Sequence, residues 1–326
     1  MGLDGCAPRT PPRTGPAPRP APPTRPGPGA AAPSSRPAGQ ALRIEVGARG
    51  TRQIALIGLE EYVRDVVVGE LSVGASDGLL AGPAYQAQAI IARTYALAVR
   101  GRHATEGFDL CSTTHCQVYV RDGWRRSRWA AEVDAAVQRT RGRYLASGGR
   151  PIEAVFHAHC GGHTSAATEV WRSVGASYLR GVDDPYCLRE RPAGWAADLD
   201  LETLRLALNG RPRTQVGERL DGVQVLRRDP GGRVLEVVLS GPRTPVVTGE
   251  DFRLAVIAAA GPRSLRSARF DLQRVGTQLR FTGRGSGHGV GLCQTGLIGR
   301  LRAGQTATDA LLAYYPGATL VASSGT

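Results

Sequence analysis

The chain has 326 residues, and all 41 of its basic residues are arginine, since the sequence contains no lysine; against 28 Asp plus Glu this gives a net charge of +13. Hydrophobic residues make up 41% and charged residues 21%, enough apolar material for a core, which excludes global disorder. No uninterrupted apolar run approaches the length of a membrane-spanning helix. A basic excess of this size fits a polyanionic neighbour, whether nucleic acid, anionic lipid or an acidic wall polymer, and does not choose among them.

Residues 1–40 form a segment of their own. They carry Arg9, Arg13, Arg19, Arg25 and Arg36 against Asp4, a net +4, and residues 7–40 hold 12 of the 22 prolines. Without apolar periodicity this is a disordered or polyproline II linker. Ahead of it, Leu3-Asp4-Gly5-Cys6 is similar to the end of a bacterial lipoprotein signal, which makes Cys6 a candidate lipid anchor. Asp4 is a poor residue for such a signal, and a chance match is the competing reading.

Order is expected from Ala41. Leu42–Val46 alternates like a strand and Gln53–Leu59 suggests another. Leu59–Glu70 places Tyr62, Val66 and Val67 at helical spacing, Gly74–Gly82 looks like a loop, and Ala84–Arg102 predicts a long Ala-rich helix with Ala87, Ile90, Ile91, Thr94 and Leu97 on one face. The pattern turns β-like over 141–157, and Leu201–Ala207 suggests a short helix. Residues 222–249 suggest a hairpin turning at Asp229-Pro230-Gly231-Gly232. A glycine-rich stretch at 283–291 precedes a helical segment around 308–315. Strands and helices do not alternate regularly, so the expected class is α+β: mixed sheets, one long helix, and a β-rich subdomain at about 196–280. The domain would span 41–320, with a tail at 321–326.

The cysteines admit two main readings. Cys111 and Cys116 bracket His115, while Cys160 and Cys187 stand further apart in loop-like contexts. In one reading these make disulfides Cys111–Cys116 and Cys160–Cys187. In the other, Cys111, His115 and Cys116 hold a structural zinc ion with a further ligand from His157, His159, Cys160 or His163. Inert thiols are a third reading. The segment Gly283-Arg284-Gly285-Ser286-Gly287-His288-Gly289 lacks the Lys-Ser/Thr of a phosphate loop, which argues against nucleotide binding.

Four separated segments carry a family resemblance. The first is Leu59-Glu60-Glu61-Tyr62-Val63 through Val68-Gly69-Glu70-Leu71. The second is Ala87-Gln88-Ala89-Ile90-Ile91-Ala92-Arg93-Thr94-Tyr95. The third joins Thr114–Tyr119 to Phe156–Thr164 and Tyr178–Val182. The fourth is Gly287-His288-Gly289-Val290-Gly291-Leu292-Cys293-Gln294-Thr295-Gly296, followed by Tyr314-Tyr315-Pro316-Gly317. In this order they resemble the SpoIID/LytB family of cell-wall proteins. Gln86 stands where that family usually has Lys, and Cys293 where it usually has Ser.

The resemblance implies a peptidoglycan lytic transglycosylase that cleaves MurNAc–GlcNAc glycan and leaves 1,6-anhydro-MurNAc ends, with no cofactor required for the chemistry. The position matching the family's catalytic acid is Glu70. Its place at a helix C-terminus among valines would raise its pKa, as a neutral general acid needs. Gln88, Arg93, Tyr95, His288 and Gln294 are the expected substrate contacts; for Arg93 the competing reading is a buried tie to a loop. The implied location is exported, periplasmic or cell-envelope. A non-catalytic enhancer of a wall amidase is the first alternative, with that amidase as partner. A zinc hydrolase using His157, His159 and His163 is a second alternative, unsupported by any His-Glu-x-x-His motif. A nucleic-acid role finds no binding motif.

Overall fold

A computed structural model describes residues 41–47, 52–171, 175–190 and 194–322. Cys6, the proline-rich linker and most of the 321–326 tail lie outside the described residues.

The chain opens with β1 (Ala41–Glu45) antiparallel to β2 (Ile54–Gly58), which runs directly into α1 (Leu59–Glu70). Next comes α2 (Gly78–Ala98), then β3 (Leu110–Cys111), which pairs with β1 in parallel. There follow α3 (Ala130–Arg139), β4 (Arg143–Ser147), β5 (Arg150–Pro151) and β6 (Phe156–His157), then α4 (Ala167–Trp171) and α5 (Pro185–Glu190).

The long helix differs from its expected form in three ways, the first being that it ends at Ala98 rather than Arg102. It begins at Gly78, inside the expected loop, and passes through Pro83. It is also buried on every side from Ala87 to Ala96 rather than along one face. The cause is its surroundings: α1, α3 and β4, and later α8 (Gln294–Arg302) and α9 (Ala307–Tyr314), all pack against it. A helix enclosed this way is largely apolar on all sides, with Gln88, Arg93 and Thr94 as its buried polar exceptions, and alanine lets its neighbours approach closely.

Residues 194–284 build a second core. β7 (Gly194–Asp200) leads to α6 (Leu201–Asn209), the hairpin β8 (Gly222–Arg228) and β9 (Val234–Ser240), β10 (Val246–Thr248), α7 (Gly249–Ala260), β11 (Phe270–Val275) and β12 (Gln278–Arg284). Two antiparallel sheets, β10-β9-β8 and β11-β12-β7, close over Phe252, Phe270 and Phe281, whose rings lie 5.4–6.1 Å apart. The chain then returns to the first core, where β13 (Leu292–Cys293) pairs in parallel with β6. It ends with α8, α9 and β14 (Thr319–Ala322), the last antiparallel to β4. The architecture is α+β with several small sheets.

Candidate functional site

Three segments far apart in sequence meet at the C-terminal end of α1. Glu70 is the last residue of that helix and is half-buried. One carboxylate oxygen accepts the Val118 backbone N–H at 2.6 Å, while the Glu70 backbone carbonyl accepts the Gln294 side-chain amide at 2.9 Å. Gln294 is the first residue of α8, and its amide also donates to Gln88 Oε1 of α2 at 3.3 Å. Gln88 is wholly buried and its amide nitrogen has no hydrogen-bond partner among the described residues. Below them, Tyr62 stacks on Tyr119 and donates to Gln117 Oε1 at 3.2 Å.

The close seating of residues 117–118 depends on Gly69. A Cβ there would collide with the Val118 carbonyl, so a side chain at 69 would push away the segment that binds Glu70. Burial raises the Glu70 pKa above its ordinary value, and the Val118 N–H, which favours the ionised form, opposes the rise in part. The expected direction is therefore present, with desolvation as its cause.

A hollow of about 150 Å³ lies beside this helix end. Val68, Leu71, Tyr85, Arg128 and Trp129 line it. Trp129 is fixed by donating its indole N–H to Val73 O at 3.1 Å. Neither Arg128 nor Trp129 was expected from sequence: they precede α3 with no motif around them. A larger hollow of about 340 Å³ sits on the second core between β8 and β11. Its one acid, Asp271, is paired with Arg228, so it offers no comparable chemistry.

The other predicted contacts divide. Arg93 is wholly buried and spans both Glu60 oxygens, at 2.8 and 2.6 Å, while also donating to Arg143 O at 3.0 Å. Beside it, Thr94 Oγ1 accepts the Leu145 N–H at 2.9 Å. This pair fastens β4 to α2, and Arg93 has no surface from which to touch a substrate. Tyr95 is buried and its hydroxyl accepts Arg102 at 2.6 Å. His288 donates from Nε2 to Phe156 O at 2.8 Å and accepts the Val290 N–H at Nδ1, 3.2 Å, so both ring nitrogens serve the fold. The glycines around it admit another part of the protein: a Cβ at Gly289 would strike the buried Arg233 guanidinium, and one at Gly287 would strike His157. Of the expected contacts, Gln88 and Gln294 are the ones brought together with Glu70.

The family model described as Stage II sporulation protein, SpoIID, matches residues 48–146, and one described as a domain of unknown function, DUF8618, matches 189–291. An uncharacterized protein of Brachyspira hyodysenteriae is 31% identical over 271 residues, covering 81% of this chain and 67% of that protein. Stage II sporulation protein D of Bacillus subtilis is 27% identical over 289 residues, covering 84% and 77%. The amidase enhancer of Bacillus subtilis is 25% identical over 280 residues, covering 73% of this chain and 38% of that protein. The chain belongs to the SpoIID/LytB family.

In this SpoIID/LytB chain the five described cysteines are all free thiols, which corrects the expected Cys111–Cys116 and Cys160–Cys187 disulfides. Each pair sits in a larger cluster, with His103 and His115 beside the first and Asp184 and Cys293 beside the second. His103 joins Cys111, His115 and Cys116, with all four ligand atoms within 4.8 Å of one another. His115 Nδ1 lies 3.7 Å from both sulfurs, and His103 Nε2 lies 3.4 Å from Cys116 Sγ. His103 Nδ1 is hydrogen-bonded to Glu106 at 2.5 Å, which turns a lone pair on Nε2 towards the sulfurs. Two thiols and two imidazoles so arranged fit tetrahedral zinc. The side chain that completes this cluster is His103, from the turn after α2, and none of residues 157–163 lies in it.

Those histidines are themselves dispersed. His157 donates from Nδ1 to Val290 O at 3.1 Å, and burial pushes its pKa down to about 3. His159 lies 3.2 Å from Cys187 Sγ, and His163 faces Asp183 at 3.7 Å. Among the described residues they form no common metal cluster, so the zinc-hydrolase alternative has no site there.

Proposed function

We propose that this chain is a peptidoglycan lytic transglycosylase that cleaves MurNAc–GlcNAc strands to 1,6-anhydro-MurNAc ends, with Glu70 as its acid and base. The observation that carries this reading is the half-buried Glu70 carboxyl, its pKa raised by desolvation, on the helix end whose flanking residues Val68 and Leu71 line a hollow with Trp129, Tyr85 and Arg128. Similarity to Stage II sporulation protein D supports it.

The chemistry needs one acid. Protonated Glu70 delivers its proton to the bridging oxygen as the bond from MurNAc C1 breaks, and GlcNAc leaves with that oxygen. The MurNAc 6-hydroxyl then bonds to C1 and gives its proton to the Glu70 carboxylate, which restores the acid. No water is consumed, so no second carboxylate is required. The Val118 N–H holds one carboxylate oxygen and leaves the other for the sugar. Gln294 would bind the glycan with the buried Gln88 fixing its amide, Trp129 would offer a face to a sugar ring, and Arg128 a cation to an acidic substituent.

The His103, Cys111, His115 and Cys116 set would hold zinc. Bound zinc supplies a rigid cross-link rather than a reactive centre, and Cys116 stands two residues before Val118. An exported, cell-envelope location, anchoring at Cys6 and partnership with a wall amidase complete the proposal.

Incubation with glycan strands freed of stem peptides, followed by mass spectrometry, tests it. Anhydro-ended products from the wild-type chain and none from Glu70→Gln are expected. Identical product profiles for the two would leave the enhancer reading, which the similarity to the amidase enhancer favours.

A further inference from the structure

A second cluster of cysteines lies in the first core. Cys160 follows β6, Asp184 and Cys187 belong to the start of α5, and Cys293 caps α8. All four are wholly buried, and their ligand atoms lie within 4.8 Å of one another. Cys187 Sγ is 3.5 Å from Cys293 Sγ, and Cys160 Sγ is 3.3 Å from Asp184 Oδ2. Disulfide sulfurs stand about 2.05 Å apart. Two sulfurs on one tetrahedral zinc ion, each bound at about 2.3 Å, stand about 3.8 Å apart. The observed separation is far closer to the second.

The backbone around the sulfurs suits thiolates. Gly162 N–H donates to Cys160 Sγ at 3.3 Å, and the N–H groups of Cys160 and Gly296 donate to Cys293 Sγ at 3.2 and 3.3 Å. His159 Nε2 lies 3.5 Å from Cys187 Sγ, while its Nδ1 accepts the Gly161 N–H at 3.0 Å. N–H groups converging on buried sulfur compensate negative charge that neutral thiols do not carry. The turn that delivers two of these contacts uses left-handed glycines, Gly161 at φ 80° and Gly162 at φ 110°. Outside the ligands, Tyr314 donates to Asp184 Oδ2 at 2.8 Å and Arg300 approaches its other oxygen at 4.0 Å, orienting the carboxylate. A Cβ at Gly296 would collide with Asp184 and Tyr314, so the packing leaves no slack.

We propose that Cys160, Asp184, Cys187 and Cys293 form a second metal site, for a thiolate-loving divalent cation of the zinc type. Each thiol loses its proton to solvent as the cation binds, giving three sulfur ligands and one carboxylate oxygen. The site joins the loop after β6, α5 and the β13–α8 junction. Its Cys293 immediately precedes Gln294, whose amide holds the Glu70 carbonyl. The two clusters thus grip the two segments, around Val118 and around Gln294, that position Glu70. The metal site itself stands whether or not Glu70 is a catalyst.

Metal analysis of the full chain tests this, purified anaerobically with a phosphine reductant. Cys111→Ser/Cys116→Ser removes the first cluster and should retain about one zinc per chain. Its cobalt-loaded form should show an intense near-ultraviolet sulfur-to-metal band, and Cys160→Ser/Cys293→Ser added to it should abolish both. Zinc-edge absorption of the unaltered chain needs no variant to fold; it should average more than two sulfurs per zinc. An average of two or fewer overturns the proposal. So does a disulfide between any two of Cys160, Cys187 and Cys293 in that preparation, or a Cys111→Ser/Cys116→Ser chain that folds without metal.

Discussion

The end of α1 and the loop from Gly283 to Gly291 both carry residues that stand out in the sequence, and the structure treats them oppositely. At Glu70 one carboxylate oxygen is bonded, the side chain is half-exposed, and the flanking Val68 and Leu71 line a hollow. At His288 both ring nitrogens are used by backbone groups. The difference is one of bonding capacity: a site needs a polar group with a valence left over, while a group with every partner supplied by its own chain is part of the scaffold. Arg93 belongs with His288 by the same measure, since its guanidinium is shared between Glu60 and Arg143 O.

Substitutions should separate the two regions. The largest effect is expected from Glu70→Gln, which keeps an acceptor for Val118 and removes the proton donor; turnover of peptide-free glycan should fall by ~10²–10⁴-fold with the folded state retained. An active Glu70→Gln chain would erase the contrast. Arg93→Met should act on the scaffold instead, leaving Glu60 without its partner at a cost of about 3–5 kcal/mol in urea unfolding. His288→Ala should cost about 1–3 kcal/mol by stranding Phe156 O and the Val290 N–H, with turnover per folded molecule unchanged. A drop in turnover without loss of stability would place His288 in the site after all.

The smallest effect concerns pH. Glu70 has a folded pKa above its unfolded value, so its contribution to stability is present below the unfolded carboxyl pKa and is lost as pH rises through the folded value. Glu70→Gln removes that loss. Urea midpoints of the two chains should converge in acid, with the variant the more stable at neutral pH and above. Activity should decline over the same upper range, as the acid ionises.

What could be read from the sequence follows the range of the interactions. The helix over Leu59–Glu70 and the 222–249 hairpin were legible because local periodicity and turn residues set them. The burial of Ala87–Ala96 on all sides was not, because it is imposed by α8 and α9, more than two hundred residues downstream. Glu70, Gln88 and Gln294 were found through motifs, but the Val118 amide that binds Glu70 is a backbone group without a sequence signature. The place of His103 in the first cluster has no sequence signal, because it stands eight residues before Cys111 in the turn after α2, outside any recognised metal spacing. Cys293 was noted only as a departure from the usual Ser, since its partners come from two other segments.

The Gly69–Val118 contact has a consequence for the order of events as the chain folds. When α1 first forms, Glu70 is a solvated carboxyl of ordinary acidity. Its pKa is raised by burial in the assembled chain, where a loop forty-eight residues further on lies over a helix turn that has no side chain to obstruct it. The raised pKa is therefore a property of the assembled chain and not of the helix alone.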